Sequence, residues 1–113
     1  MNNNYYGDFH THTKYSDGSG NVESNVQCAI EAGLKAVAIT DHGFNNPKAL
    51  SLRYESYLKQ REEIITARKK YPQIEILHGV EADIIGLDGT IDMDEEQCAN
   101  TDILVAGFHR WAK

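Results

Sequence analysis

The sequence lacks the features that mark secreted, disulfide-rich and membrane proteins. It has only two cysteines, Cys28 and Cys98, which lie far apart and outside any C-x-x-C pair. They predict reduced, mostly buried thiols in a cytoplasmic protein. The start, MNNNYYGD, has no basic or apolar signal segment, and no apolar run approaches the ~18 residues of a membrane span. We therefore expect a cytoplasmic location and no membrane partner.

An excess of positive charge is also missing. The 11 lysines and arginines are outnumbered by 17 aspartates and glutamates, which gives a net charge of −6. We therefore expect no nucleic-acid partner, because binding a phosphate backbone needs a basic face. A local basic pocket for a small anion stays possible. The length of 113 residues and the hydrophobic share of 41% suit one soluble globular domain.

Strand-like and helix-like segments alternate along the chain. Strands are predicted over residues 5–10, 34–40, 74–84 and 102–109. Helices are predicted over residues 22–32, with Asn21 as N-cap, and from Asn46-Pro47 to about residue 70. The second strand, LKAVAIT, is almost entirely apolar, which is typical of a parallel strand covered on both faces. The alternation predicts an α/β fold with about four βα units.

The long second helix is predicted to bury an apolar stripe against the sheet and to end before Pro72. The stripe comprises Leu50, Tyr54, Tyr57, Leu58, Ile64 and Ile65. Further along, Asp88-Gly89 predicts a tight turn in a small hairpin, and DEEQCAN predicts one or two helical turns.

Residue types that bind metals stand at the C-terminal ends of all four predicted strands. His10 and His12 end the first, His42 follows the second, Glu81 lies late in the third, and His109 closes the fourth. In a parallel sheet these ends share one edge, where α/β proteins build their sites. Imidazole and carboxylate ligands without cysteine suit Zn, Mn or Fe, so the pattern predicts a metal site.

The alternation of side chains along a strand indicates which residues can share this site. It places His10 and His12 on one face, and it places small residues below the other ligands: Ala38, Gly79 and Gly107. We expect these small residues to leave room where a barrel interior narrows. His78 should face the helices, where we expect a packed or hydrogen-bonded histidine. Asp17 would extend the cluster to a further ion, and otherwise it is a turn aspartate before Gly18.

Four segments, in this order, resemble the motifs of the PHP (polymerase and histidinol phosphatase) family. They are DFHTHTKYSDG, AITDHG, LHGVEADI and LVAGFH, and the resemblance covers essentially the whole chain. It is greatest to the stand-alone phosphatase-like members. It implies a distorted, TIM-like (βα)7 barrel with a trinuclear metal site at the C-terminal ends of its strands. The implied activity is metal-assisted hydrolysis of small phosphate esters, with a small phosphorylated molecule as substrate.

The resemblance also implies how up to three divalent ions (Mn, Fe or Zn) would be shared. His10, His12 and Glu81 would hold one ion, and Asp17 and His42 would help to hold another.

Glu81 would bridge to a further ion, held also by His109. No catalytic residue is assigned beyond these metal ligands. Arg110, beside His109, could contact the phosphate of a substrate.

The chain departs from the family in length, because such barrels take about 200 residues or more and no D-x-H pair follows His109. We therefore expect residues 1–113 to be the N-terminal part of a PHP domain, a single truncated domain that is inactive alone and loads metal weakly. Two open sheet edges and uncovered apolar surface predict self-association or pairing with the missing C-terminal half.

Two alternatives stay open. The chain could be a non-catalytic PHP module associated with a DNA polymerase, in which case His10→Ala and Glu81→Ala would leave function intact. It could also be an amidohydrolase-type metal hydrolase, since that class opens with H-x-H on its first strand. Such an enzyme would prefer amides or cyclic ureides to phosphate esters.

Overall fold

The fold is a parallel sheet with helices in the connections. The computed structural model describes residues 5–44 and 53–107. Its elements are β1 Gly7–Thr11, α1 Val22–Glu31, β2 Ala36–His42, α2 Tyr54–Lys70, β3 Glu75–Asp83, α3 Glu95–Ala99 and β4 Ile103–Gly107. The strands pair in the order β1-β2-β3-β4, all parallel, in a sheet that curls as part of a barrel. The predicted α/β class and partial TIM-like barrel are confirmed.

Helix α1 begins at the predicted N-cap and is followed by a glycine. Asn21 is the N-cap: its Oδ1 accepts from the Ser24 backbone N–H at 2.8 Å, and Ser24 Oγ accepts from the Asn21 N–H at 2.9 Å. This reciprocal pair is a capping box, which satisfies two backbone donors at the helix start. Gly33 follows the helix with a φ of 80°, a left-handed conformation that glycine adopts without steric cost.

The main hydrophobic core lies between α1, α2 and one face of the sheet. Its buried members are Val22, Val26, Ala29, Val37, Ile39, Ile64, Ala67, Ile74 and Ile76. All seven residues of β2 are buried, as its apolar sequence predicts for a strand covered on both faces. Because Val37 and Ile39 face the helices, Ala38 and Thr40 occupy the other face of the sheet.

The predicted stripe of α2 is wrong at two positions. Leu58 is 47% exposed and Ile65 is 44% exposed, whereas the buried residues of the helix are Tyr57, Gln60, Ile64 and Ala67. Successive helical residues lie about 100° apart around the axis, so Leu58 and Ile65 cannot share the face of their buried neighbours. Gln60 belongs to that face because its amide forms hydrogen bonds there. Leu50 and the predicted helix start at Asn46-Pro47 lie outside the described residues.

The prediction of mostly buried thiols is also wrong for Cys28. Both cysteines are free, but Cys28 is exposed and Cys98 is half-buried. The reason is the orientation of α1, which turns Val22, Val26 and Ala29 toward the core and leaves Cys28 outside it.

After β3 the chain forms the predicted small hairpin. Ile84 and Ile91 form an antiparallel bridge, and Gly89 has a φ of 91° at the turn. The Ile85 N–H donates to Thr90 O at 2.7 Å, which closes the hairpin. Within the two described ranges, no helix is both long and apolar enough to cross a membrane.

His78 is buried on the helix-facing side of β3, as predicted. Arg61 Nε donates to His78 Nδ1 at 2.7 Å, and the His78 ring stacks on Tyr57 with 4.0 Å between ring centroids. Because Nδ1 accepts, the ring proton lies on Nε2, which donates to Gln60 Oε1 at 2.8 Å. Burial, with the charge of Arg61 second, lowers the pKa of His78 from 6.5 to about 3.

This neutral histidine makes stability depend on pH. The unfolded chain binds a proton at His78 near pH 6.5, whereas the folded chain binds it only near pH 3. Between pH 6.5 and 3 the unfolded state therefore holds more protons than the folded state. The free energy of unfolding decreases as the pH is lowered, by at most about 1.4 kcal/mol per pH unit. Urea denaturation between pH 7 and 5, with a chelator present, should show a smaller slope for His78→Gln. An unchanged slope would contradict the assignment.

Candidate metal centre

Three predicted residues meet at the C-terminal edge of the sheet, although they come from strands that are not neighbours. His10 Nε2 lies 2.7 Å from Glu81 Oε1, and His12 Nε2 lies 2.8 Å from the same oxygen. β1 and β3 flank β2, so these contacts cross the face of the sheet above the central strand. The ligand atoms of the three residues lie within 4.8 Å of one another, close enough to share one metal ion.

A second group lies directly beside the first. His12 Nδ1 is 2.6 Å from Asp17 Oδ1, and His42 Nε2 is 3.0 Å from Asp17 Oδ2. His12, Asp17 and His42 could also hold a metal ion, since one ligand atom of each lies within 4.8 Å of the others. His42 Nδ1 is 3.8 Å from Glu81 Oε2, which joins the two groups. Asp17 therefore contacts the cluster and is more than a turn residue.

A match to a known family gives this geometry its context. Residues 8–109 match the PHP domain family, which is nearly the whole chain. The chain belongs to the PHP domain family. The predicted residues that lie in the described ranges thus come together in a chain that carries the family's domain: His10, His12, Asp17, His42 and Glu81.

Similar proteins to this PHP domain carry two kinds of name. The chain is 36% identical over 103 residues to "DNA polymerase/3'-5' exonuclease PolX" of Bacillus subtilis. That alignment covers 91% of this chain and 18% of the Bacillus protein. The chain is 35% identical to a probable phosphatase of a Thermoanaerobacter species and 36% identical to one of Caldanaerobacter subterraneus. Those two alignments cover 90% of this chain but 40% and 38% of the phosphatases. The chain thus spans less than half the length of these curated relatives.

The donor atoms of the PHP domain's two groups fit a transition metal. They are imidazole nitrogens and carboxylate oxygens, which Zn, Mn and Fe accept. His42 and Glu81 are buried, so an ion there would be partly screened from water. The His10 side chain is 51% exposed, which leaves a path from solvent.

Both carboxylates are suited to bind cations because a metal ligand must be deprotonated. Burial acts to raise the pKa of Glu81, but hydrogen bonds with His10 and His12 and the charge of His42 outweigh it, so the pKa lies below its usual value. For Asp17, burial also acts to raise the pKa, and the hydrogen bond with His12 and the charge of His42 lower it overall.

His12 belongs to both groups, and its chemistry limits how they can be filled. A neutral imidazole has one nitrogen lone pair, and its other nitrogen carries a proton. His12 can therefore ligate one ion through Nε2 and donate its Nδ1 proton to Asp17, as histidine ligands commonly do to carboxylates. The two groups cannot both use a neutral His12 as a ligand.

Two predicted site residues of the PHP domain, His109 and Arg110, lie outside the described residues. β4 is described to Gly107, which pairs with Asp83, two residues after Glu81. The roles assigned to His109 and Arg110 stay predictions.

Sequence reasoning missed Asp41, which precedes the predicted ligand His42. Asp41 has no exposed surface and accepts hydrogen bonds from Thr13, Ser16 and Gln60. The signal was present, since parity along β2 turns Asp41 to the face opposite His42. A carboxylate in the helix-facing layer requires hydrogen-bond donors, and these come from the loop after β1 and from α2.

Proposed function

We propose that this PHP domain belongs to a metal-dependent phosphoesterase, a phosphatase of the PHP type that hydrolyses small phosphate esters. The observation that carries the proposal is the shared contact of His10 and His12 with Glu81 Oε1, with Asp17 and His42 beside it. Similar proteins named probable phosphatases support phosphate esters, not amides, as the substrate class.

In this proposal His10, His12 and Glu81 hold one ion, and Asp17 and His42 help to hold another. When bound, such ions activate a water molecule and neutralise charge that develops on phosphoryl oxygens. Glu81 Oε1 contacts the imidazole of His10, on β1, and that of His12, which directly follows the strand. Asp17 fixes the ring orientation of His12 through Nδ1, provided that the proton lies on that nitrogen.

Metal-dependent hydrolysis of p-nitrophenyl phosphate by the natural protein that carries this domain is the direct test. We expect activity with Mn, Fe(II) or Zn that a chelator removes, and a loss of more than about 100-fold in His12→Ala, because that change removes a ligand of one ion and the imidazole that contacts Asp17. Glu75→Ala is the matched control, since Glu75 is exposed at the start of β3. A protein that binds no transition metal by elemental analysis would contradict the proposal.

A second candidate is a PHP module in a DNA-processing protein, with or without catalytic function. The observation that favours it is the 36% identity to the protein named DNA polymerase/3'-5' exonuclease PolX. Assaying a single-stranded oligonucleotide beside p-nitrophenyl phosphate separates the candidates. Loss of oligonucleotide cleavage in Glu81→Ala would favour a nuclease, and unchanged function in that variant would favour a structural module.

The proposed partners beyond the substrate are a second copy of the chain or a C-terminal half of the domain. Support comes from the edge strands of the described sheet, where Phe9 on β1 and Leu104 on β4 are each 40% exposed. That residues 1–113 form the N-terminal part of a domain, inactive alone, stays a prediction, as does the cytoplasmic location.

A further inference from the structure

Asp41 lies behind the candidate metal centre and contacts the loop that carries Asp17. Its Oδ1 accepts from the Thr13 backbone N–H and from Ser16 Oγ, both at 2.6 Å. Its Oδ2 accepts from Thr13 Oγ1 at 2.7 Å and from Gln60 Nε2 at 2.8 Å. These four hydrogen bonds are made by a side chain with no exposed surface. Asp41 is thus the centre around which residues 13–16 are arranged.

The loop from Thr13 to Gly18 is compact. Thr13 O accepts from the Ser16 N–H at 3.1 Å and from the Gly18 N–H at 2.9 Å. A Cβ on Gly18 would lie 2.6 Å from the carbonyl carbon and oxygen of His12, so the loop returns against the end of β1. Asp17 therefore lies between Ser16 and Gly18, whose backbone N–H groups both donate to Thr13 O.

Ser16 also connects the loop to β2. Its Oγ donates to Asp41 and accepts from the His42 backbone N–H at 3.3 Å. The loop is therefore tied to the strand end that carries His42. The position of Asp17 relative to His42 depends on this connection.

Gln60 anchors the arrangement to α2. Its Nε2 donates to Asp41, and its Oε1 accepts from His78 Nε2 at 2.8 Å. Asp41 is thereby attached to a helix in the core.

We infer that Asp41 is a positioning residue that holds the turn of residues 13–18, so that Asp17 reaches both His12 and His42. Asp41 itself faces away from His42 and is not one of the proposed ligands. The inference rests on the proposed function only in its consequence for metal binding. The hydrogen bonds that organise the loop involve none of the proposed metal-ligating atoms.

Asp41→Asn tests the inference in the metal-free chain. Asparagine keeps one acceptor oxygen but turns an NH₂ group toward donors that used the second oxygen. We expect amide hydrogen exchange at Ser16 and Gly18 to speed up about tenfold or more, with amides of β3 unchanged. Ser16→Ala, a smaller change, should speed up exchange at Gly18 in the same direction. Unchanged exchange at Gly18 in both variants would overturn the inference.

Titration with Co²⁺, monitored by calorimetry and by visible absorption, tests the consequence for metal binding. We expect Asp41→Asn to weaken Co²⁺ binding by about 10–100-fold, the usual effect of losing an outer-shell support, and Ser16→Ala to weaken it less. Tyr57→Phe is the control, because it removes a buried hydroxyl that donates to Asn100 O at 3.0 Å, away from the loop. It should lower stability and leave Co²⁺ affinity unchanged.

The two proposals fail in different ways. A natural protein carrying this domain that binds no Co²⁺ contradicts the proposed metal function, and amide exchange then decides the role of Asp41 alone. A wild-type chain that binds Co²⁺ no more tightly than Asp41→Asn overturns the positioning role, even if the variant is less stable.

Discussion

Replacing Glu81 with alanine is expected to abolish transition-metal binding by this chain. Glu81 Oε1 contacts both His10 and His12, and its Oε2 lies 3.8 Å from His42 Nδ1. Removing this carboxylate takes away one metal ligand. It also removes the group that lies within 4 Å of all three imidazoles. The loss of affinity should therefore exceed the ~10–100-fold that follows loss of an outer-shell partner.

Calorimetric titration with Zn²⁺ at neutral pH measures this effect. Glu75→Ala is the matched control, because Glu75 lies on the same strand but is exposed. Far-UV circular dichroism of both variants checks that the sheet is retained. Zn²⁺ binding by Glu81→Ala that equals binding by Glu75→Ala would show that the ions are held elsewhere.

Replacing Gly79 with alanine is expected to destabilise the fold by about 3 kcal/mol, the upper end of the usual cost of overpacking. A Cβ at Gly79 would lie 2.1 Å from Ile103 O and 2.6 Å from Ile103 Cγ2. Gly79 pairs with Ile103 in the β3–β4 ladder, so the backbone of β4 cannot move away without losing that pairing. The space above Gly79 is occupied by Ile103, which corrects the expectation that this glycine leaves room below the metal ligands.

Gly89→Ala is the control for this substitution, measured by urea denaturation with both variants. Gly89 has a φ of 91° and nothing within 4 Å of an added Cβ. Gly89→Ala should cost only about 1–2 kcal/mol, which is the cost of a left-handed conformation for a residue other than glycine. Equal losses in the two variants would indicate that contact with β4 is not the source of the Gly79 effect.

Much of the fold could be predicted because its signals are local. The capping residues of α1, the turn at Gly89 and the order of strands and helices all follow from short stretches of sequence. The failures concern burial. Leu58 and Cys28 are apolar yet lie outward, since the orientation of a helix is set by the whole face that packs, including the polar Gln60.

In the candidate site, too, some features could be predicted from local sequence signals and others could not. The alternation of side chains and the positions of the strand ends predict that His10, His12 and Glu81 share one face of the sheet. The contact of Asp17 with both His12 and His42 could not be predicted in this way, because Asp17 lies in a loop without a periodic pattern. Its place depends on the hydrogen bonds that Thr13 and Ser16 make to Asp41.

By itself, the sequence determines that strands and helices alternate and that histidines and acidic residues stand at the strand ends. It does so because hydrophobic periodicity and capping act over a few residues. Only the tertiary structure decides that His10 and Glu81, 71 positions apart, share a contact of 2.7 Å. That distance depends on the strand order and on the register of three strands, which are set by packing of the whole sheet against its helices.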